Sequence, residues 1–340
     1  MIQSLLKSKL SKTLASGLML FSLSAVTHAD GHGDFPDRPI SLTVAYGAGG
    51  ATDFQARIVT MMSAKTDKED KGVYLGGQPI VVINKPGAGG QVGWNKFVTK
   101  AKPNGYELAA YNIPHFIAQS IAFPDKVKYN IDNLEPIANW GADPAVFIVN
   151  KDSEFNSMKD VVEYAKANPG KLTVSGAGLY VGHHIAALQL NKVAEVDMKY
   201  VPAGGGVKAL QFVLGGQTMA GVNNLSDAYR SRDRLKILGV MDLQRNEEFL
   251  PDVPTLMEQG YEVDDSSVNF RGIMAPKGTP DEVLEFLAKG SEAMFGDKKV
   301  AGKMKAGGSP LRIMSRADVQ EMWKKRQEYL TGLLKDLKKE

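Results

Sequence analysis

A strand pattern that runs directly into a glycine-rich loop and then into a helical pattern occurs twice near the start of the sequence. Residues 39–45 are apolar and β-branched, residues 47–53 are rich in glycine, and residues 53–62 place apolar side chains at helical spacing. The same order returns within residues 79–100. Strands that alternate with helices predict a mostly parallel sheet with helices on both faces.

A second series of strands and helices begins after Trp140 and predicts a second lobe. The alternation continues through residues 145–239, and a further strand pattern at 268–276 leads into a helical C-terminus. Because that last segment is too small to fold alone, we place it on the first lobe. The sequence therefore predicts two lobes that face each other across a cleft. The predicted bounds are residues 30–140 plus 266–340 for lobe 1 and residues 141–265 for lobe 2.

The amino-terminal residues predict that the chain is exported. Residues 1–12 contain three lysines and no acid, and an apolar run at 14–26 precedes a small-residue cleavage site that ends at Ala29. This layout is typical of a secretory signal peptide, here residues 1–29, with a mature chain that starts at or near Asp30. The alternative interpretation is an amphipathic anchor or a buried helix.

The composition excludes several classes of protein. The 340 residues include no cysteine, which excludes disulfide scaffolds, iron–sulfur clusters, thiolate zinc sites and cysteine nucleophiles. The formal net charge of +3 falls to near zero without the three lysines of the signal peptide. The charge balance therefore implies no nucleic-acid partner.

Three glycine-rich loops between strand and helix patterns are candidate anion sites. They lie at residues 47–53, 175–182 and 203–206. Such loops expose backbone N–H groups at helix N-termini and can hold an anion without a charged side chain. In a doubly wound sheet they lie at the carboxyl ends of the strands, where ligands bind. Each loop alone could be a simple tight turn, but the set favours an anion-binding cleft.

The second loop also permits other functions. The spacing Gly176-x-Gly178-x-x-x-Gly182, with Asp197 further along, resembles a dinucleotide fingerprint, so a secreted NAD(P)-linked enzyme is the alternative function. No P-loop is present, and two adjacent histidines on a helix point about 100° apart and cannot chelate one metal together. No Gly-x-Ser-x-Gly elbow is present either. We therefore expect no enzymatic activity, no metal and no cofactor; a structural envelope protein is a third possibility.

Seven short blocks follow one another in a distinctive order along the mature chain. They are FPDRPI (residues 35–40), YGAGGATD (46–53), GQPIVVINKPGAGG (77–90), PNGY (103–106), GGG (204–206), LGGQ (214–217) and APKGTP (275–280). Together they resemble the tripartite tricarboxylate transporter solute-binding proteins, the Bug receptors. The resemblance implies a monomeric periplasmic receptor with the two-lobed periplasmic-binding-protein fold. Such a receptor closes on an organic acid, holds it largely by backbone amides and ordered waters, and delivers it to a membrane permease.

Two positions depart from the usual pattern of that family. Ala45 stands where a proline is common before the aromatic residue of the first loop. SGAGLY at residues 175–180 differs from the more common Gly-Thr-Gly-Ser form. These departures leave the identity of the acid open.

The predicted ligand-binding residues come from both lobes. Thr52 and Ser175 are the expected side-chain donors to a carboxylate, and we expect no buried lysine or arginine to hold it. Asp53 either contacts the ligand or caps its helix. Three aromatic residues, Tyr46, Tyr180 and His115, either select among acids or only pack. The full predicted set is Tyr46, Gly47, Gly49, Gly50, Ala51, Thr52, Asp53, His115, Ser175, Gly176, Gly178, Tyr180, His183, Ala203, Gly204, Asn223 and Asp227.

Overall fold

The computed structural model describes residues 35–69 and 71–337. The predicted signal peptide and the predicted mature start at Asp30 lie outside the described residues. Within the described part, none of the helices combines the length and the apolar character that crossing a membrane requires.

Eleven strands and ten α-helices, with two short 3-10 turns, make up the described part of the chain. The strands are β1 (Ile40–Val44), β2 (Ile80–Asn84), β3 (Glu107–Ile113), β4 (Leu134–Asp143), β5 (Ala145–Asn150), β6 (Thr173–Gly176), β7 (Lys199–Pro202), β8 (Ala220–Asn224), β9 (Leu235–Met241), β10 (Asn269–Pro276) and β11 (Leu311–Met314). The helices are α1 (Ala51–Val59), α2 (Gln91–Lys100), α3 (His115–Ala122), α4 (Met158–Ala167), α5 (Gly182–Ala194), α6 (Gly206–Leu214), α7 (Leu225–Tyr229), α8 (Asp281–Phe295), α9 (Lys298–Ala306) and α10 (Arg316–Leu337).

The strands form two separate sheets, which confirms the two-lobed α/β fold. The order in the first sheet is β11-β4-β10-β3-β1-β2, and the order in the second is β7-β6-β8-β5-β9. Each sheet has its own apolar core. Leu42 and Trp140 belong to a buried cluster of the first sheet, and Phe147 and Leu190 belong to one of the second.

Both sheets are mixed, which corrects the prediction of mostly parallel sheets. In the first, β1 pairs in parallel with β2 and β3, whereas β10 runs antiparallel to β3 and β4, and β11 runs antiparallel to β4. In the second, β6 pairs in parallel with β7 and β8, whereas β5 runs antiparallel to β8 and β9. The physical reason is the crossing between sheets. The chain leaves along β4 and returns along β10, so the strands at each crossing run in opposite directions.

The first crossing is an almost continuous extended segment. β4 ends at Asp143 and β5 begins at Ala145, so Pro144 alone separates the strands of the two sheets. The return lies between β9 and β10, and every strand of the second sheet falls within residues 145–241. The predicted lobe bounds stay a prediction, and β4 extends three residues past the first of them.

The sequence patterns do not predict β4, α7 or β11. β4 is buried along most of its length, so it lacks the polar alternation that marks a half-exposed strand. α7 has five residues and β11 has four, which is too short for a recognisable period. β11 also interrupts the C-terminal segment that the sequence predicts as helical from residue 280 onward.

Candidate functional site

A cavity of about 350 Å³ lies between loops of the two sheets. Segments after β1, β2 and β3 form most of one wall, and segments after β6, β7 and β8 form most of the other. The lining residues are Tyr46, Gly47, Ala48, Gly50, Ala51, Thr52, Pro86, Asn112, His115, Ala177, His183, Gly204, Gly205, Gly206, Val207, Lys208, Gln211, Asn224, Asp227 and Asn269.

Four helices begin at this cavity, two from each sheet. α1 and α3 follow strands of the first sheet, and α5 and α6 follow strands of the second. Ala51, His115, His183 and Gly206, each from the first turn of one helix, line the cavity. The first N–H groups of a helix have no partner within it, and the helix dipole makes that end positive. The arrangement therefore favours an anion.

Asp53 holds the first loop in shape. Its Oδ2 accepts a hydrogen bond of 2.8 Å from the backbone N–H of Gly49, whose φ of 81° favours glycine. Its Oδ1 accepts from Arg57 Nε at 3.0 Å and from Asn84 Nδ2 at 2.9 Å. Burial alone would raise the pKa of Asp53, but these hydrogen bonds lower it below its ordinary value. Because neither Asp53 nor Gly49 lines the cavity, the structure favours the loop-fixing role of Asp53.

A fully buried ion pair stands behind the cavity wall. Arg271 and Asp143 are both 0% exposed, and 2.7 Å separates Arg271 Nη1 from Asp143 Oδ2. The same guanidinium donates to Thr52 Oγ1 at 3.2 Å and to Asn224 Oδ1 at 2.9 Å, and both of these residues line the cavity. Asp143 in turn accepts a hydrogen bond from the hydroxyl of Ser226 in α7. This pair therefore joins cavity residues of the two sheets.

Two cations lie at or directly behind the cavity wall, and neither belongs to the three glycine-rich loops. Arg271 comes from β10, far from the loops in sequence, and Lys208 is an exposed residue of the cavity lining. The sequence gives a signal for the first of them, since a lone arginine inside the apolar segment that forms β10 needs a buried partner. The sequence gives no such signal for Lys208, because whether this residue lines the cavity depends on how the two lobes meet.

Two neutral histidines present unpaired ring nitrogens. The backbone N–H of Ala177 donates to His183 Nδ1 at 3.1 Å, so the ring hydrogen is on Nε2, which has no hydrogen-bond partner among the described residues. Burial lowers the pKa of His183 to about 4, so the ring is neutral near pH 7. The interaction of the ring with Asn224 raises this pKa, but by less than burial lowers it. Burial also lowers the pKa of His115, whose Nδ1 likewise has no partner in the described chain.

Nine of the seventeen predicted residues line the cavity, and their contact with a ligand stays a prediction. They are Tyr46, Gly47, Gly50, Ala51, Thr52, His115, His183, Gly204 and Asp227. Thr52 is placed as a donor should be. Its hydroxyl oxygen accepts hydrogen bonds from Asn112 Nδ2 at 2.9 Å and from Arg271 Nε at 3.2 Å, so its own hydrogen is still available.

Ser175, the other expected donor, does not line the cavity, so the structure does not support its predicted contact with a ligand. Its hydroxyl is 0% exposed and donates to the backbone oxygen of Ala209 in α6 at 2.8 Å. Asn223 is also behind the wall, where its Nδ2 donates to Gly206 O at 3.1 Å. Both side chains therefore hold the start of α6 in place.

The other predicted residues outside the lining have structural contacts instead. The backbone N–H of Ala203 donates to Gly176 O at 2.8 Å, and Gly178 O accepts from the Tyr200 hydroxyl at 2.9 Å. The Tyr180 ring packs edge-on against Phe123, with ring centres 5.1 Å apart. These contacts fix the second loop and the strand end beside it. The loop therefore supports the cavity rather than lining it, except through Ala177.

The structure brings together three asparagines, of which the sequence reasoning missed Asn112 and Asn269; Asn224 lies between the predicted residues Asn223 and Asp227. Asn112 and Asn269 belong to the buried strands β3 and β10, and Asn224 ends β8. Buried amides need hydrogen-bond partners, so an asparagine inside an apolar strand is a signal that could have found the first two. Four further lining residues, Pro86, Val207, Lys208 and Gln211, were not predicted, whereas Ala48, Ala177, Gly205 and Gly206 lie in the glycine-rich loops that were predicted as anion sites.

The geometry gives little support to a dinucleotide or a metal at this site. Gly176, Gly178 and Gly182, which form the fingerprint-like spacing, do not line the cavity. Within residues 35–69 and 71–337, no three histidine, aspartate or glutamate side chains are grouped in a way that could hold a metal ion.

Known proteins resemble this chain over most of its length. The sequence profile of the family described as the tripartite tricarboxylate transporter family receptor matches residues 69–322. A UPF0065 protein from the gbd 5' region of Cupriavidus necator is 32% identical over 274 residues, which cover 80% of this chain and 78% of that protein. Protein BugT of Bordetella pertussis is 29% identical over 281 residues, 81% of this chain and 82% of its own. The structure of the periplasmic binding protein BugD aligns with a TM-score of 0.76 at 28% identity, and covers 89% of this chain and 98% of BugD.

Proposed function

The chain belongs to the tripartite tricarboxylate transporter family of solute receptors, and from that membership we propose that it binds an organic carboxylate in the cavity between its lobes and delivers it to the membrane permease of such a transporter. We further propose that it acts as a periplasmic receptor and not as an enzyme. The predicted signal peptide is consistent with that location.

The observation that supports a carboxylate most strongly is the meeting of four helix N-termini at one cavity. Each brings backbone N–H groups and the positive end of a dipole toward the same space. Neutral His183 adds an N–H donor, and Lys208 adds a positive charge. An uncharged solute would make poor use of this set, and a cation would be repelled by it.

Contacts between the lobes support a closed binding state. Gln119 Nε2, on the first lobe, donates to Leu179 O on the second at 3.2 Å. On the second lobe, Arg230 lies 4.4 Å from the centre of the Phe54 ring and donates to Gly307 O at 3.3 Å. Because both walls of the cavity are joined in this way, a bound acid would be enclosed, and its release requires the lobes to separate.

A carboxylate should stabilise the purified mature protein against heat. A ligand at one hundred times its dissociation constant stabilises a protein by about 2.7 kcal/mol, which gives a melting shift of several degrees. We expect this shift from at least one member of a panel of mono-, di- and tricarboxylates, measured by differential scanning fluorimetry. The neutral amides of the same acids and NAD are the controls. A shift with NAD and with no acid would instead support the enzyme alternative.

Removal of the Thr52 hydroxyl should weaken binding much more than removal of the Ser175 hydroxyl. A hydrogen bond to a charged acceptor contributes about 1.5–3 kcal/mol, so Thr52→Val should lower affinity by about tenfold to a hundredfold. Thr52→Ser retains the donor and should bind nearly as wild type does. Ser175→Ala is the matched control, because that hydroxyl lies behind the wall. Calorimetric titration with the tightest-binding acid gives the affinities, and equal losses in the two variants would contradict the placement of Thr52.

Thr52→Val should also lose stability without ligand, because the Thr52 side chain does not lie in an open, hydrated cleft. An open, hydrated cleft would leave the unliganded protein almost unaffected. In the structure Thr52 is only 5% exposed and accepts hydrogen bonds from Asn112 and Arg271. Thr52→Val leaves these donors unpaired, at a cost of about 1–3 kcal/mol. Affinities are therefore measured well below each variant's melting temperature.

A further inference from the structure

Arg271 fixes the orientation of the buried amides at the cavity. A guanidinium can only donate hydrogen bonds, so the atom of Asn224 that it contacts at 2.9 Å must be the carbonyl Oδ1. That oxygen also lies 3.3 Å from the amide of Asn269, which must therefore present Nδ2 to it. The Oδ1 of Asn269 is then the atom that faces Asn112, at 3.1 Å.

In this network of hydrogen bonds, one side-chain carbonyl oxygen receives no donor. Because Asn269 presents an acceptor, Asn112 must present Nδ2, and the second hydrogen of Nδ2 is donated to Thr52 Oγ1 at 2.9 Å. Both hydrogens of this amide are thus used. Its Oδ1 has no hydrogen-bond partner in the described chain, although Asn112 is only 1% exposed and lines the cavity. An unpaired buried acceptor is costly unless something donates to it.

The same network of hydrogen bonds leaves two donors available on the wall of the cavity that holds this acceptor. Asn269 Nδ2 lies 3.4 Å from His115 Nε2, so that nitrogen accepts and the ring hydrogen is on the unpartnered Nδ1. The Thr52 hydroxyl, which accepts from Asn112 and Arg271, has its hydrogen available. The first lobe therefore presents one buried acceptor together with two donors.

From this pattern we propose that the ligand carries a hydroxyl group as well as a carboxylate, and that Asn112 Oδ1 accepts the hydrogen bond of that hydroxyl. A carboxylate can only accept, so it satisfies the donors but not this oxygen. A hydroxyl group donates one hydrogen bond and accepts others, which matches a cavity wall with one free acceptor and two free donors. The inference rests on the proposed function and narrows the substrate class to hydroxycarboxylates.

An ammonium group fits the site less well. It has three hydrogens to donate, whereas Asn112 Oδ1 is the one buried side-chain acceptor without a partner among the described lining residues. The Asp227 carboxylate also lines the cavity, but its Oδ1 accepts from Arg230 and its Oδ2 accepts from Asn224 Nδ2 at 3.3 Å. The nearby guanidinium of Arg271 further disfavours a second cation.

The test compares acids that differ only in one hydroxyl. The matched pairs are lactate with propionate, malate with succinate, and citrate with tricarballylate, titrated by calorimetry into the mature protein. In each pair that binds, we expect the hydroxy acid to bind about tenfold more tightly or better. A ratio near one in wild type overturns this inference and leaves the proposed function intact. Failure of all six acids to bind overturns the proposed function, and this inference with it.

Variants then test the assignment to Asn112. Asn112→Ala should bring the hydroxy-to-deoxy affinity ratio close to one, and Asn112→Ser, which disturbs the strand less, should lower it as well. Asn139→Ala is the matched control, because Asn139 is 0% exposed in β4 and outside the cavity lining. Since each ratio is taken within one variant, a general loss of affinity cancels. A ratio that stays high in both Asn112 variants would show that another residue reads the hydroxyl.

Discussion

Arg271→Met is expected to lower the free energy of unfolding by about 3–5 kcal/mol, because it leaves the Asp143 carboxylate buried without a counter-charge. Both side chains are 0% exposed, so water cannot replace the lost partner. The substitution also removes donors to Thr52 and Asn224, whose acceptor atoms would lose a partner. Urea denaturation of wild type and variant measures the difference.

Two further variants separate the ion pair from a general effect of losing an arginine. Arg245→Met removes a pair with Glu258 whose side chains are 36% and 45% exposed, and exposed pairs contribute at most about 1 kcal/mol. The double variant Arg271→Met with Asp143→Leu should recover part of the lost stability, because no unpaired charge remains. A loss below about 1 kcal/mol for Arg271→Met alone would contradict this role of the pair.

The second large effect is expected on acidification, because the folded protein keeps its buried histidines neutral. Burial lowers the pKa of His183 and of His184 to about 4, from an ordinary value of 6.5. Between these values the unfolded chain binds protons that the folded chain does not, so stability falls as pH falls from 6.5 toward 4. Each of the two histidines should cost about 2 kcal/mol at about pH 5 relative to neutral pH. His115, whose pKa is also lowered, acts in the same direction.

Urea denaturation at several pH values measures this loss, and one variant assigns it. His184→Gln replaces a ring that packs at a tilt against Tyr200 outside the cavity lining, and should remove one histidine's share of the pH dependence. Burial raises the pKa of Asp227 and of Asp242, so these carboxyl groups oppose the histidines as pH falls. Stability that is constant between pH 6.5 and 5 in wild type would contradict the neutral, buried state of the histidines.

Sequence patterns predict the parts of the fold that depend on neighbouring residues. The alternation of strand, glycine loop and helix predicts α1, α2 and α6 directly after their glycine-rich segments, where the structure has them, because each start follows a local backbone signal. The mixed direction of the sheets was not predictable in this way. It depends on β10, whose partners in β3 and β4 lie more than a hundred residues earlier in the chain.

In the candidate site, too, some features follow from neighbouring residues and others depend on distant parts of the chain. Thr52 and Ser175 are both small hydroxyl residues beside a strand end and a glycine loop, yet only Thr52 lines the cavity. The difference depends on tertiary packing: α6 lies over Ser175 and accepts its hydrogen bond, whereas Thr52 meets Arg271 from a distant strand. Local sequence patterns therefore locate the loops, and long-range packing decides which side chains line the cavity.

The most direct test of the central claim is a crystal structure of the mature protein with the tightest-binding acid. We expect the carboxylate inside the cavity, with its oxygens about 3 Å from backbone N–H groups in the first turns of α1 and α6, so that both lobes contribute donors. A carboxylate bound only by Lys208 at the surface, or held by one lobe alone, would contradict the account.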